Sequence, residues 1–235
     1  MKIEIGNLGR NIVSVRDLIS VQLKRLEKTN LTLLEIGAFN LDFSIYFNTQ
    51  FPYAQIHAIE PCPLNFSSMK KKLGTNNKIA LHNLALSDID GIIDLYTLHE
   101  GTDFSSQSNS VYRAFVADKD QNVFCEHVKS LTLDSFCTAE KIDCIDLLKL
   151  NCEGSEYKIF LGKAQSFLNK TNIIEVLLHG KNPVFLTKNA VDKKREINAL
   201  LVRKGFRLLY GYNLEHLKRM PLEHIRQIWI RNNYI

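Results

Sequence analysis

Short apolar runs that stop at a glycine, a proline or a charged residue alternate along this chain with segments of helical spacing, and that alternation restricts its fold most. Leu31–Ile36 ends at Gly37, and Gln55–Ile59 is stopped by Pro61 and Pro63. Ile145–Leu150 and Asn172–Leu178 read as further buried strands. Between them lie helical patterns: Val15–Lys28 with the stripe Leu18, Ile19, Leu23 and Leu26, Asn65–Leu73 closed by Gly74, and Leu133–Glu140. Others are a helix after Glu153 carrying Ile159, Phe160 and Leu161, and Val191–Lys204 closed by Gly205. Lys78–Leu86, Ile92–Leu98 and Val128–Thr132 are strand-like, the first two separated by the turn signal Asp88-Ile89-Asp90-Gly91. Phe206–Tyr212 and Gln227–Arg231 are two closing strands. The pattern predicts an α/β fold: a parallel sheet with helices on both faces and a ligand site at the C-terminal strand ends, near the reversal of strand order.

Composition narrows the class. With 235 residues, 45% hydrophobic and 23% charged, the chain is neither disordered nor collagen-like. It reads as one domain over 31–235 with an N-terminal helical extension over 1–30. The net charge of +5 suits an anionic ligand but is too small and dispersed to indicate nucleic acid by itself. No apolar stretch approaches the roughly 18 residues of a membrane span. Met1–Arg10 has no secretory pattern. Five cysteines without a C-x-x-C pair support neither a disulfide framework nor a zinc knuckle. Reduced thiols in a cytoplasmic protein are the expectation.

The strand ends carry the chemistry. Gly37 lets backbone approach a ligand that a Cβ would repel. Glu60, which lies 25 positions after Glu35, ends the second strand where an acidic side chain accepts from ribose hydroxyls, near the usual spacing of about 20. A dinucleotide fingerprint is absent: Gly37 is followed by Ala38, Phe39, Asn40, Leu41 and Asp42, and a bulky Phe39 with an acidic Asp42 would crowd and repel a pyrophosphate. A nucleoside without phosphates suits this loop better, S-adenosylmethionine being one.

Five motifs then occur in order: Glu35-Ile-Gly-Ala38; Glu60-Pro61 followed by Pro63, Asn65 and Phe66; Asn83-Leu-Ala-Leu-Ser-Asp88 with Gly91; Leu131-Thr-Leu-Asp134; and Ile145-Asp-Leu-Leu-Lys-Leu-Asn-Cys-Glu-Gly-Ser-Glu156. Together they resemble the FkbM-type family of S-adenosylmethionine-dependent methyltransferases over about residues 31–180. The resemblance implies a class I methyltransferase (Rossmann-like) fold, with a mostly parallel seven-stranded sheet and a C-terminal antiparallel strand. It implies a cofactor lying over Gly37, Ala38 and Asn40, its ammonium facing Glu35 and its ribose on Glu60 beside Pro61. The adenine would lie by Asn83, Leu84 and Ala85, and the reactive methyl next to Asn151. Two positions depart from the family's pattern, which usually has Asp in place of both Glu35 and Asn151. An amide cannot act as a base or a strong metal ligand, so no metal is expected at the site.

The resemblance also implies O-methylation of a sugar, glycan precursor or related small molecule. An alcohol needs its proton removed by a positioned group. Candidates are His179, which ends the Glu175–His179 run, and Glu153 and Glu156; each has an ordinary structural reading beside the catalytic one. An unperturbed imidazole near pH 6.5 makes His179 the first expectation. Gly101–Ser110 reads as either a substrate lid, with Phe104 to stack on a sugar, or a plain surface loop. Lys70-Lys71-Lys72 and Lys193-Lys194-Arg195 read as solvated helix faces, with steering of an acidic acceptor as their second reading. Two rivals remain. A non-catalytic S-adenosylmethionine-binding regulatory protein is suggested by Asn151. A nucleic-acid methyltransferase is disfavoured, because Asn151-Cys-Glu-Gly replaces the Asn/Asp-Pro-Pro-aromatic run and Asn182-Pro183-Val184-Phe185 follows the wrong strand. No nucleic acid and no membrane insertion are expected, and oligomeric state is not legible.

Overall fold

The computed structural model describes residues 14–75, 78–98, 109–112, 123–179, 189–211 and 224–233. Most of the expected lid, including Phe104, and the Asn182–Phe185 run lie outside the described residues. A seven-stranded sheet forms the centre. Its strands are β1 (Thr32–Ile36), β2 (Gln55–Ile59), β3 (Ile79–His82), β7 (Ile145–Leu150), β8 (Thr171–Leu178), β9 (Phe206–Tyr210) and β10 (Ile225–Arg231), in the order β3-β2-β1-β7-β8-β10-β9. The pairs from β3 through β8 are parallel, and β10 runs antiparallel to both neighbours. Order therefore reverses between β1 and β7, which makes the crevice at their C-terminal ends the place for a ligand.

Helices cover both faces because adjacent residues of each strand point to opposite sides. Leu33, Leu147 and Ile173 pack on one side with α1 (Val15–Lys24), α2 (Asp42–Gln50) and α3 (Pro63–Leu73), through Leu18, Phe47 and Met69. Leu34, Leu148 and Ile174 pack on the other with α4 (Leu133–Ala139), α5 (Ser155–Leu161), α6 (Phe167–Lys170) and α7 (Asn189–Arg203), through Phe136, Phe160, Phe167 and Leu201. Every residue of β7 is buried, as expected of a central parallel strand covered on both faces. The N-terminal helix is fully part of this core: Leu18, Ile19 and Leu23 are at most 1% exposed.

Two local expectations are corrected, and one helix lies where none was expected. Lys78–Leu86 is not one strand. The chain leaves the main sheet after His82, where the Asn83 amide donates to the carbonyls of Glu60 and Pro61 at 2.9 and 3.0 Å. It then forms β4 (Ala85–Ser87), which joins β5 (Gly91–Leu98) and β6 (Val123–Thr132) in a separate sheet of order β4-β6-β5. The helix α2 has no matching expectation, because its apolar residues form no clear stripe. Lastly, the basic run on α7 is not a wholly solvated face. Lys194 is buried on the same stripe as Ile197, Asn198 and Leu201, the i, i+3, i+4, i+7 spacing of a packed helix. Among the described residues no helix is long and apolar enough to cross a membrane, and all five cysteines are unpaired.

Candidate active site

A cavity of about 300 Å³ opens at the reversal of strand order, lined by the ends of β1, β2 and β7, by β4 and β5, and by α1 and α2. Gly37 shapes its floor. Its φ is +77°, and a Cβ there would lie 2.0 Å from the carbonyl oxygen of Asn151, so only glycine lets the ends of β1 and β7 approach. The Gly37 and Ala38 N–H groups both donate to the Ile59 carbonyl, at 3.0 and 3.1 Å, which folds this loop over the end of β2. Phe39 and Leu41 follow at φ of 47° and 64°. Left-handed conformations cost a non-glycine residue roughly 1–2 kcal/mol, and their clustering here marks a loop held by its surroundings. Part of the hold is Lys72, whose ammonium donates to the Asn40 carbonyl at 2.8 Å and pairs with Asp42 at 2.6 Å. One lysine of the expected solvated run thus tethers the loop.

Glu60 is buried and organises the second wall. Oε2 accepts from the Phe39 N–H at 3.0 Å, and Oε1 accepts from the Cys62 N–H and the Asn65 amide at 3.1 and 3.2 Å. Burial pushes its carboxyl above the usual carboxylate range, against those three donors. Of the roughly four acceptor positions on a carboxylate, three are filled, leaving one on Oε2. Glu60, Pro61 and Ala85 line the cavity with Ala38 and Asn40; Leu84 does not, and packs into the main core. Asn83 is not among the lining residues either, its amide being held by two backbone carbonyls.

The third wall is a row of charge of which only Glu35 belongs to the expected site. Glu35, Lys149 and Glu175 are register partners on β1, β7 and β8, so their side chains share one face. Lys149 donates to Glu35 Oε1 at 3.0 Å and to the Gly37 carbonyl at 3.2 Å. Glu35 Oε2 also accepts from the Ser44 N–H and hydroxyl, at 3.1 and 2.6 Å. Arg226 of β10 lies 3.5 Å from Glu175 Oε1. Arg16 of α1 sits over the rings of Phe43 and Tyr46. All five charged residues line the cavity. One signal was available: Lys149 and Glu175 stand among apolar neighbours near the C-terminal ends of their strands, and a buried charge needs a partner or a ligand.

The fourth wall carries the proton-transfer candidates. Asn151 ends β7 with its N–H on the Ile36 carbonyl at 3.0 Å, and its Oδ1 is buried without a partner. Glu153, at φ 49°, lines the cavity, and the Ser110 hydroxyl donates to its carbonyl at 2.7 Å. Glu156 is fully buried behind it and accepts from the N–H groups of Cys152 and Gly154, at 2.7 and 2.8 Å. His179 lies between the two carboxylates, Nδ1 at 2.9 Å from Glu156 and Nε2 at 3.2 Å from Glu153.

This geometry corrects the expectation of an unperturbed imidazole. Burial is the largest influence and pushes His179 down, but Glu156 and Glu153 together outweigh it and hold the ring at about 10. Glu156 is held below its ordinary value, burial notwithstanding, by His179 and backbone donors. His179 is therefore a protonated ring at neutral pH, and neither it nor Glu156 is among the cavity-lining residues. Among the described residues, two groups with metal-ligand types, His57/His82/Glu140 and Asp94/Cys125/His127, lie outside the cavity.

The comparisons with known proteins agree with this architecture. The Methyltransferase FkbM domain matches residues 35–208. The 2-O-methyltransferase NoeI of Sinorhizobium fredii is 25% identical over 161 residues, which span 63% of this chain and 63% of that protein. The solved structure of the methyltransferase FkbM from Methylobacillus flagellatus superimposes with a TM-score of 0.50 at 11% identity, covering 86% of this chain and 44% of that one. WbdD gives a TM-score of 0.50 at 12% identity, covering 95% of this chain and 41% of that one. The likeness to these two structures is one of fold. From its matched domain, its strand order and its site at the β1/β7 reversal, the chain belongs to the FkbM methyltransferase family.

Proposed function

We propose that this protein is an S-adenosylmethionine-dependent O-methyltransferase acting on a hydroxyl of a sugar, glycan precursor or related small molecule. The observation that carries the cofactor reading is the wall at Glu60: a buried carboxylate with one acceptor position left, on the cavity, at the end of the second strand. The residues present fit the cofactor. Glu60 Oε2 would take a ribose hydroxyl, the small Ala85 and the apolar Leu86 and Leu95 would flank the base, and the buried Asn151 Oδ1 offers a further acceptor. Bound there, S-adenosylmethionine supplies an activated methyl group on a sulfonium.

The chain's own contribution is alignment and proton management. Holding an acceptor in line contributes several kcal/mol of barrier reduction. Glu153 is the cavity-lining carboxylate among the three candidates, and we assign it the hydroxyl proton. The His179 ring behind it, anchored by Glu156, fixes its position. O-direction is supported by the name of NoeI, a 2-O-methyltransferase, and a saccharide acceptor by the family resemblance.

Calorimetric titration with S-adenosylhomocysteine tests the cofactor reading. Loss of the charge-assisted bond in Glu60→Gln, worth about 1.5–3 kcal/mol, should weaken binding at least tenfold; unchanged affinity refutes the assignment. A panel of hydroxyl acceptors tests the rest. Cofactor binding without turnover on that panel would favour a non-catalytic binding protein, the reading that Asn151 suggests.

A further inference from the structure

The smaller sheet carries a cluster that neither the cavity nor the core uses. In the run Cys125-Glu126-His127 of β6, the strand period of two puts the thiol and the imidazole on one face. The antiparallel register with β5 sets Asp94 opposite His127 and Tyr96 opposite Cys125, so the four side chains form one patch. Opposed residues of such a pair have Cβ atoms about 4.5–5.5 Å apart, close enough for both to reach one small ion. The contacts agree with this. His127 Nδ1 lies 2.9 Å from Asp94 Oδ1, and the ligand atoms of Asp94, Cys125 and His127 all lie within 4.8 Å of one another. The Tyr96 hydroxyl donates to Asp94 Oδ2 at 3.3 Å, which orients the carboxylate. All three residues are exposed, and Cys125 is the one exposed cysteine of the five. An exposed His–Asp pair contributes at most about 1 kcal/mol, so stability does not account for the grouping.

We infer that Asp94, Cys125 and His127 form a surface site for a divalent ion of the zinc type, with the fourth tetrahedral position open to water. Thiolate and imidazole suit zinc and its transition-metal neighbours, whereas a hard ion such as magnesium would be held by the carboxylate alone. As thiolate, carboxylate and neutral imidazole, the ligands carry two negative charges, the complement of one divalent ion. Lys129 continues the same face beyond His127, while Glu126 turns to the other. Binding exchanges the Cys125 thiol proton, released to solvent, for a metal–sulfur bond, with no change of oxidation state. The ion would tie β5 to β6, two strands joined in the chain by residues 99–122. No C-x-x-C spacing marks the site, because strand pairing supplies what local spacing does not. The inference is independent of the cofactor reading.

The test uses the full chain, stripped of metal by a chelator, with Co²⁺ as the spectroscopic probe. Titration should saturate at one ion per chain with a sulfur-to-cobalt charge-transfer band. Zn²⁺ should displace the cobalt, and Mg²⁺ should not. Zn²⁺ should also slow alkylation of Cys125, followed by peptide mass spectrometry, about tenfold or more, because a metal-bound sulfur is not free to attack. Cys125→Ser should abolish the band, and His127→Gln should weaken cobalt binding about tenfold or more. The absence of saturable binding, a Cys125 as reactive with zinc as without it, or a band that survives Cys125→Ser overturns the site. Saturable binding that lacks the sulfur band and is lost in His82→Gln assigns the ion to His57, His82 and Glu140, and overturns it equally. Alkylation needs no variant, so the site stays open to refutation even where a substitution disturbs the sheet.

Discussion

At the scale of single residues, the site depends on a few atoms that tolerate no substitution. Gly37→Ala places a methyl group within 2.0 Å of the Asn151 carbonyl. The ends of β1 and β7 must then separate, and S-adenosylhomocysteine binding should fall below detection by calorimetry while the far-ultraviolet dichroism of the fold persists. Normal affinity in that variant would mean the close approach is not needed. Glu153→Gln should lower turnover by about 10²–10⁴, the usual range for a proton-transfer group, with cofactor affinity nearly intact. His179 behaves differently from a free base: held at about 10, it should give no inflection in the rate between pH 6 and 8. An inflection near 6.5 that disappears in His179→Gln would restore it as the base. Chelation is a further check. Asn151 carries an uncharged amide, a weaker ligand for a hard cation than a carboxylate, so turnover should survive EDTA.

At the scale of elements, the motif residues that do not touch the cavity have structural work of their own. Asp134, the last residue of the Leu131-Thr-Leu-Asp134 run, accepts from the Ser166 and Phe167 N–H groups at 2.9 and 2.6 Å and so caps α6 from a neighbouring helix. Asp134→Ala should cost about 0.5–2 kcal/mol in urea unfolding, as loss of a helix cap does, and leave S-adenosylhomocysteine binding unchanged. A parallel loss of binding would contradict this purely structural role. Leu148 in β7 is fully buried between the two helical layers. Leu148→Ala should cost about 2–5 kcal/mol, and a variant with wild-type stability would mean that the layer can collapse around the lost volume.

At the scale of the whole molecule, pH acts through the buried cluster Glu153–His179–Glu156. The folded pKa of His179 is raised from 6.5 to about 10, so its contribution is fully present below pH 6.5 and is lost as pH rises through about 10. That of Glu156 is lowered from 4.5, so its contribution is present above that value and is lost on acidification. The urea midpoint should therefore decline from pH 6.5 towards 10, and His179→Gln should flatten the decline; equal slopes in the two proteins would count against the charged ring.

The same cluster shows where sequence stops being sufficient. Alternation of apolar runs with helical stripes determined the α/β layers, since periodicities of 2 and 3.6 are local properties. The glycine after β1 and the acid after β2 were legible because the ligand edge of a parallel sheet lies at strand ends. Register decided the rest. Glu35, Lys149 and Glu175 are separated by more than a hundred and by more than twenty positions, and only strand pairing sets them side by side. The protonation of His179 likewise depends on two carboxylates brought to it by the turn after β7, and the fate of Asn83 on carbonyls at the end of β2. Charge and hydrogen bonding act through distance in space, which a sequence records only where the chain is locally regular.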